Sequence, residues 1–160
     1  MFYLLDTNIL SDLVKNPTGV VAHKIETVGE TRICTSIIVA CELRFGAKKK
    51  GSKQLQDNLE KILATLTILP LESTVAEYYA TIRTELEQSG NLIGPNDLLI
   101  AAHTLAEGLT LVTANVGEFP EFPIYSLKTG YPMTTANPFL NLNYETALES
   151  LGEDYYDIVT

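Results

Sequence analysis

A chain of 160 residues is long enough to bury a core and suits one domain with at most a short appendage. Its 46% hydrophobic content is that of an ordinary globular protein, no apolar run approaches the roughly 20 residues that span a bilayer, and no leader-like pattern opens it, so a cytoplasmic location without membrane association is expected. The formal charge of −9 argues against broad electrostatic attraction to nucleic acid, although residues 133–160 carry Glu145, Glu149, Glu153, Asp154 and Asp157 with no Lys or Arg, which leaves 15 acids against 11 bases before them.

Residues 2–5, Phe-Tyr-Leu-Leu, read as a short buried strand ended by Asp6. A helix is expected over 7–15, stopped by Asn16-Pro17, and a second over 19–28. Residues 32–35 give the second strand, after which Ser36 can cap a helix running to about Lys50. A further helix covers 52–64, and 67–71 is the third strand. Ser73 or Thr74 opens a long helix through Gln88, with Gly90 and Gly94-Pro95 punctuating the next connection. Pro95 sits in the first turn of a helix that reaches Glu107 and stops at Gly108. Residues 110–113 give a fourth strand and 124–126 a fifth. From Lys128 the character changes to Pro, Asn and Thr, then to an acidic segment over 144–156 with a short apolar stripe of Ala147, Leu148 and Leu151.

Strands alternating with helices predict an α/β fold, a parallel sheet of about five strands with helices on both faces. In such sheets, sites form at the carboxyl ends of strands. Asp6 ends strand one, Ser36 follows strand two, and residues 113–118, with Glu118, follow strand four. Asp97 opens the helix before strand four, and helix N-termini lie at that same edge. Glu42 stands about two turns into its helix, roughly 9 Å from the start at 1.5 Å per residue, and must point inward from the flank.

Taken singly, Asp6 can cap the following helix with Thr7 and Asn8, Asp97 suits a helix N-terminus, and Glu118 is commonplace in a loop. Glu42 interrupts the apolar run 37–43, yet one face of any helix is wet. Jointly the four occupy one edge, flanked by Thr7, Asn8, Ser36, Asn96, Thr113 and Asn115, whose hydroxyls and amides can orient carboxylates or hold water. A carboxylate cluster without His or Cys selects Mg²⁺ or Mn²⁺ over zinc, and the natural reaction is phosphodiester hydrolysis. Cys34 and Cys41 fit no metal-ligand spacing and read as buried thiols.

At Leu5-Asp6-Thr7-Asn8-Ile9-Leu10, Glu42-Leu43-Arg44-Phe45-Gly46, Asn96-Asp97-Leu98-Leu99-Ile100-Ala101-Ala102-His103 and Leu111-Val112-Thr113-Ala114-Asn115-Val116-Gly117-Glu118-Phe119, the chain resembles a PIN-domain ribonuclease of the VapC toxin type over residues 1–127. The resemblance implies a Rossmann-like PIN domain over 1–130, acting as a Mg²⁺-dependent endoribonuclease (Mn²⁺ in its place) on structured RNA, often tRNA. It implies a homodimer held inactive by a cognate VapB-type antitoxin, with DNA reached only through that antitoxin. By position, Asp6 and Asp97 become the metal ligands, and Glu42 and Glu118 complete the catalytic set. Many relatives carry Asp where Asn115 stands, so Asn115 is expected to orient a water or ligand while Glu118 supplies the fourth charge. Residues 133–160, through Asn137-Pro-Phe-Leu and Glu149-Ser-Leu-Gly-Glu-Asp-Tyr-Tyr, resemble the N-terminal start of selenoprotein O-type adenylyltransferases without any catalytic residue. Residues 131–160 are therefore expected to lie outside the catalytic core.

The remaining candidates have two readings each. Arg44, Lys48, Lys49 and Lys50, with Lys53, are a solvated helix end or a contact for RNA phosphates. His103, among Ala and Leu, reads as a core histidine rather than a general base, and His23 as a surface residue. The stripe of Leu55, Leu59, Ile62 and Leu63 is core, or a dimer or antitoxin groove. A haloacid dehalogenase-type phosphatase needs an Asp where Asn8 stands, and a receiver domain needs a further acidic pair near strand one. The remaining alternative is a catalytically silent PIN protein that serves as partner of a DNA-binding antitoxin in autoregulation.

Overall fold

The structure, a computed structural model, describes residues 2–90 and 92–114. In chain order these form β1 (Tyr3–Leu5), α1 (Thr7–Lys15), α2 (Val20–Val28), a 3-10 turn (Glu30–Arg32), β2 (Ile33–Ser36), α3 (Ile37–Lys49), α4 (Lys53–Thr65), β3 (Thr67–Leu69), α5 (Val75–Ser89), α6 (Pro95–Ala106) and β4 (Thr110–Val112). The strands make one sheet in the order β3-β2-β1-β4, every pair parallel. The α/β reading holds, with four strands in the sheet rather than about five; the expected strand at 124–126 and the tail lie outside the described residues.

Register fixes where the site forms. Leu5 pairs with Thr35 and with Val112, and Ser36 pairs with Leu69, so the carboxyl ends of all four strands reach one edge. β3 stops at Leu69 because Pro70 has no amide to donate to the ladder. β4 stops at Val112, and Thr113 beyond it turns its hydroxyl to Asp6.

Local chemistry starts and stops the helices. Ser36 caps α3 by accepting from the Ile38 amide at 3.1 Å, and Ser52 caps α4 from the Leu55 amide at 3.3 Å. Pro95 stands in the first turn of α6, where a missing amide costs nothing. Gly90 ends α5 at φ 73°, a left-handed conformation that glycine adopts without strain. In contrast, Thr74 precedes α5 with no capping bond from its side chain.

The main core joins Leu4, Leu5 and Val112 of the sheet to Ile9 and Leu10 of α1, Val39 and Leu43 of α3, and Leu59 and Leu63 of α4. Leu59 and Leu63 are thus core, and Leu55 and Ile62 pack half-buried against it. A second cluster joins α5 to α6 through Ile82, Leu86, Leu98 and Ala101. Ile100 belongs to the main core, so α6 packs on both. Leu10 is fully buried, and Leu10→Ala should cost about 2–5 kcal/mol in urea denaturation. An unchanged midpoint would show that α1 does not seal the core.

One expectation is corrected here. Cys34 is buried, and burial pushes its thiol up to about 11, so it is inert. Cys41 is exposed. The apolar stripe of α3 is Val39, Ala40, Leu43, Gly46 and Ala47, and the helical period turns position 41 away from it. Among the described residues, no helix is long and apolar enough to cross a membrane.

Candidate active site

The carboxyl edge of the sheet gathers polar side chains from four segments. Asp6 follows the last residue of β1 and caps α1, its Oδ1 accepting from the Thr7 amide at 2.7 Å. Its Oδ2 accepts from Thr113 Oγ1 at 2.6 Å. Thr113 Oγ1 in turn accepts from Asn8 Nδ2 at 3.2 Å, and Asn8 Oδ1 takes the Ala114 amide at 3.1 Å. Thr7 reaches the other way, its hydroxyl donating to Glu42 Oε2. Glu42 Oε1 accepts from Asn96 Nδ2 at 2.8 Å, which ties the first turn of α6 to α3. An unbroken chain of hydrogen bonds therefore runs from Ala114 through Asn8, Thr113, Asp6, Thr7 and Glu42 to Asn96.

Asp6 is only 2% exposed. Burial is the main reason its carboxyl is held above the ordinary range. The bonds from Thr113 and the Thr7 amide oppose that rise, and the nearby Glu42 charge adds to it. Each of the four carboxylate oxygens of Asp6 and Glu42 accepts from a neutral donor. Among the described residues, no Lys, Arg or His forms an ion pair with either. Two anions within Coulomb range of each other, one of them buried, are costly until a cation joins them.

Asp97 stands one position beyond Asn96, half-buried in the first turn of α6. Successive helical positions diverge by about 100°, so its side chain leaves α6 in another direction from that of Asn96. Among the described residues, no three His, Cys, Asp or Glu side chains converge as a complete ligand group. Glu118 and Asn115 lie outside the described residues.

Thr7, Asn8, Asn96 and Thr113 all bond into the network. Ser36 does not: it is buried, and its hydroxyl meets the α3 backbone and His103 Nδ1 rather than a carboxylate. His103 is fully buried, a core histidine, and burial chiefly lowers its basicity. The Ser36–His103 pairing spans 67 residues, and no local sequence signal points to it. His23 is on the surface beside Glu26. Arg44 grips Glu60 of α4 with two bonds of 2.8 and 2.9 Å, and Lys53 pairs with Asp57 at 2.7 Å. Lys48, Lys49 and Lys50 are exposed at the end of α3 and, among the described residues, form no ion pair.

Fold and site together define a parallel α/β domain that presents a carboxylate pair at the carboxyl edge of its sheet. The PIN domain family matches residues 3–123, and the chain belongs to that family, among its VapC ribonucleases. Ribonuclease VapC2 of Rickettsia felis is 41% identical over 125 residues, spanning 77% of this chain and 93% of that one. The tRNA(fMet)-specific endonuclease VapC of Salmonella typhimurium is 33% identical over 124 residues, with 76% and 92% covered. Among solved structures, VapBC2 of Rickettsia felis bound to a promoter DNA fragment superposes with a TM-score of 0.71 at 40% identity, covering 78% of this chain and 95% of that one. DNA-bound VapBC of Salmonella typhimurium gives 0.68 at 32% identity, with 77% and 93% covered.

Proposed function

We propose that the chain is a divalent-metal-dependent endoribonuclease, the toxin of a VapB–VapC pair, that cuts structured RNA of the tRNA class. The observation that carries this reading is the buried Asp6 carboxylate, joined through Thr7 to Glu42 with only neutral donors around both. Oxygen ligands without imidazole or thiolate suit Mg²⁺ or Mn²⁺, and Mg²⁺ needs only one or two protein carboxylates because it keeps its waters. Asp6 and Asp97 would hold the ion, with Glu42 and Glu118 completing the acidic site, and the bound cation would supply Lewis-acid activation of the phosphodiester.

The chain's own contribution is positioning. Thr7 and Thr113 fix the two oxygens of Asp6, and Asn8 holds Thr113 in place. Asn96 and Thr7 fix Glu42, so neither carboxylate must reorganise as charge develops. Asn115, two positions after Thr113 in the sequence, is the residue expected to orient a water or ligand. Lys48, Lys49 and Lys50 begin six residues beyond Glu42 on α3, roughly 9 Å along the helix, within reach of RNA phosphates next to a scissile bond. Arg44 serves them only by exchanging Glu60 for phosphate.

Relatives of this chain have been solved as VapBC complexes, two of them on DNA, which supports a VapB-type antitoxin as partner and DNA contact through it. The active unit is a cytoplasmic homodimer, with the PIN domain over 1–130 and residues 131–160 outside the catalytic core.

Purified full chain should cleave an RNA pool with Mg²⁺ or Mn²⁺ and stop in EDTA, and Asp97→Asn should slow it more than about 100-fold. Cleavage that persists in EDTA sinks the metal mechanism. The opposing reading, a silent partner of a DNA-binding antitoxin, predicts no cleavage by the wild type with either metal. Sequencing RNA 5′ ends after brief induction names the substrate.

A further inference from the structure

α3 and α6 touch through polar side chains at two levels. At the rim, Asn96 Nδ2 donates to Glu42 Oε1 at 2.8 Å. Deep in the core, Ser36 Oγ meets His103 Nδ1 at 2.9 Å. Ser36, the cap of α3, precedes Glu42 by six positions, and Asn96 precedes His103 by seven on α6, so the two contacts pair in reversed order and lie roughly 9–10 Å apart along the helices. Positions seven apart share one helical face, so Asn96 and His103 look toward α3 together. We propose that His103 is a positioning residue that locks the cap of α3 through Ser36, and thereby holds Glu42 against Asn96 and Thr7 at the site.

At the deep contact, Ser36 Oγ accepts from the Ile38 amide, and its proton, free to rotate, can donate to His103 Nδ1 when that nitrogen is unprotonated. His103 then carries its own proton on Nε2, which has no hydrogen-bond partner of ordinary geometry and is stabilised by the nearby Pro70 carbonyl. Burial keeps the ring neutral, as an acceptor at Nδ1 requires. One imidazole thus gathers the start of α3, the middle of α6 and the end of β3.

This inference rests on the proposed nuclease reading for its activity arm and stands apart from it in its spectroscopic arm. His103→Leu removes the bond at similar bulk, Ser36→Ala removes it from the other side, and His103→Asn restores an acceptor where Nδ1 stood. In folded full chain, kcat for RNA cleavage should fall about 10–100-fold in His103→Leu and Ser36→Ala, with KM nearly constant and most of the rate recovered in His103→Asn. Unchanged kcat in a folded His103→Leu overturns the proposal. If His103→Leu fails to fold, unchanged kcat in folded Ser36→Ala, which removes the cap bond as well, overturns the proposal. Independently, the Asn96 side-chain amide resonances should move in these variants as the Glu42 bond loosens. Fixed resonances overturn the tie whether or not the wild type cuts RNA, whereas moved resonances with an inactive wild type uphold the tie and sink the nuclease reading.

Discussion

Asp6→Asn should reduce RNA cleavage by more than about 100-fold, beyond the range for loss of an outer-shell partner, while the protein stays folded. The two halves of that expectation come from different roles of one side chain. As a helix cap, Asn is as good as Asp, because its Oδ1 can accept the Thr7 amide as the carboxylate does. The Thr113 hydroxyl can rotate to bond an amide in place of Oδ2. What Asn cannot supply is negative charge at a buried point next to Glu42, and that charge is what a hard cation binds. Rates of a defined RNA substrate across a Mg²⁺ titration, with circular dichroism as the fold control, decide the matter. A folded variant within tenfold of the wild-type rate would remove Asp6 from the chemistry and leave it a cap.

That double role also explains how much could be read from the chain. A carboxylate directly after a buried apolar run has only a strand end to occupy, so the edge position of Asp6 is a local property. The same holds for Pro95 in the first turn of α6 and for Ser36 before α3. Glu42 is less local: its helix is legible, but its partner Asn96 lies 54 residues on, and only the packing of α6 against α3 brings the two together. Cys41 faces solvent although it stands within an apolar run, because winding that run at 3.6 residues per turn puts position 41 off the stripe of Val39, Ala40 and Leu43. β3 runs shorter than its apolar pattern because Pro70 removes a ladder donor. The pairing of Ser36 with His103 was illegible, since each residue has a sufficient local role of its own and the pairing depends on tertiary register.

Metal should invert the stability order of wild type and Asp6→Asn. The Asp6 carboxyl is held above its unfolded value, first by burial and further by Glu42. A group whose folded pKa is raised contributes stability that is fully present below the unfolded pKa, about 3.9 for Asp, and is lost as pH rises through the folded value. Metal-free wild type therefore carries this loss at neutral pH, and Asp6→Asn, which has no charge to bury, does not. In EDTA at pH 7 the variant should unfold at the higher temperature, and the gap should close as pH falls toward 4. Other carboxylates titrate in the same window, but they titrate in both proteins, so the difference between the two isolates Asp6. A cation that binds only the folded state then adds RT ln(1 + [L]/Kd), about 2.7 kcal/mol at one hundred times Kd, or on the order of 8 °C for a chain of this size. Wild type should gain that increment with Mg²⁺ or Mn²⁺, the variant should gain little, and their melting curves should cross. Parallel curves with and without metal would mean that the buried charge of Asp6 is not a cation site, because then nothing bound at the edge would distinguish a carboxylate from its amide.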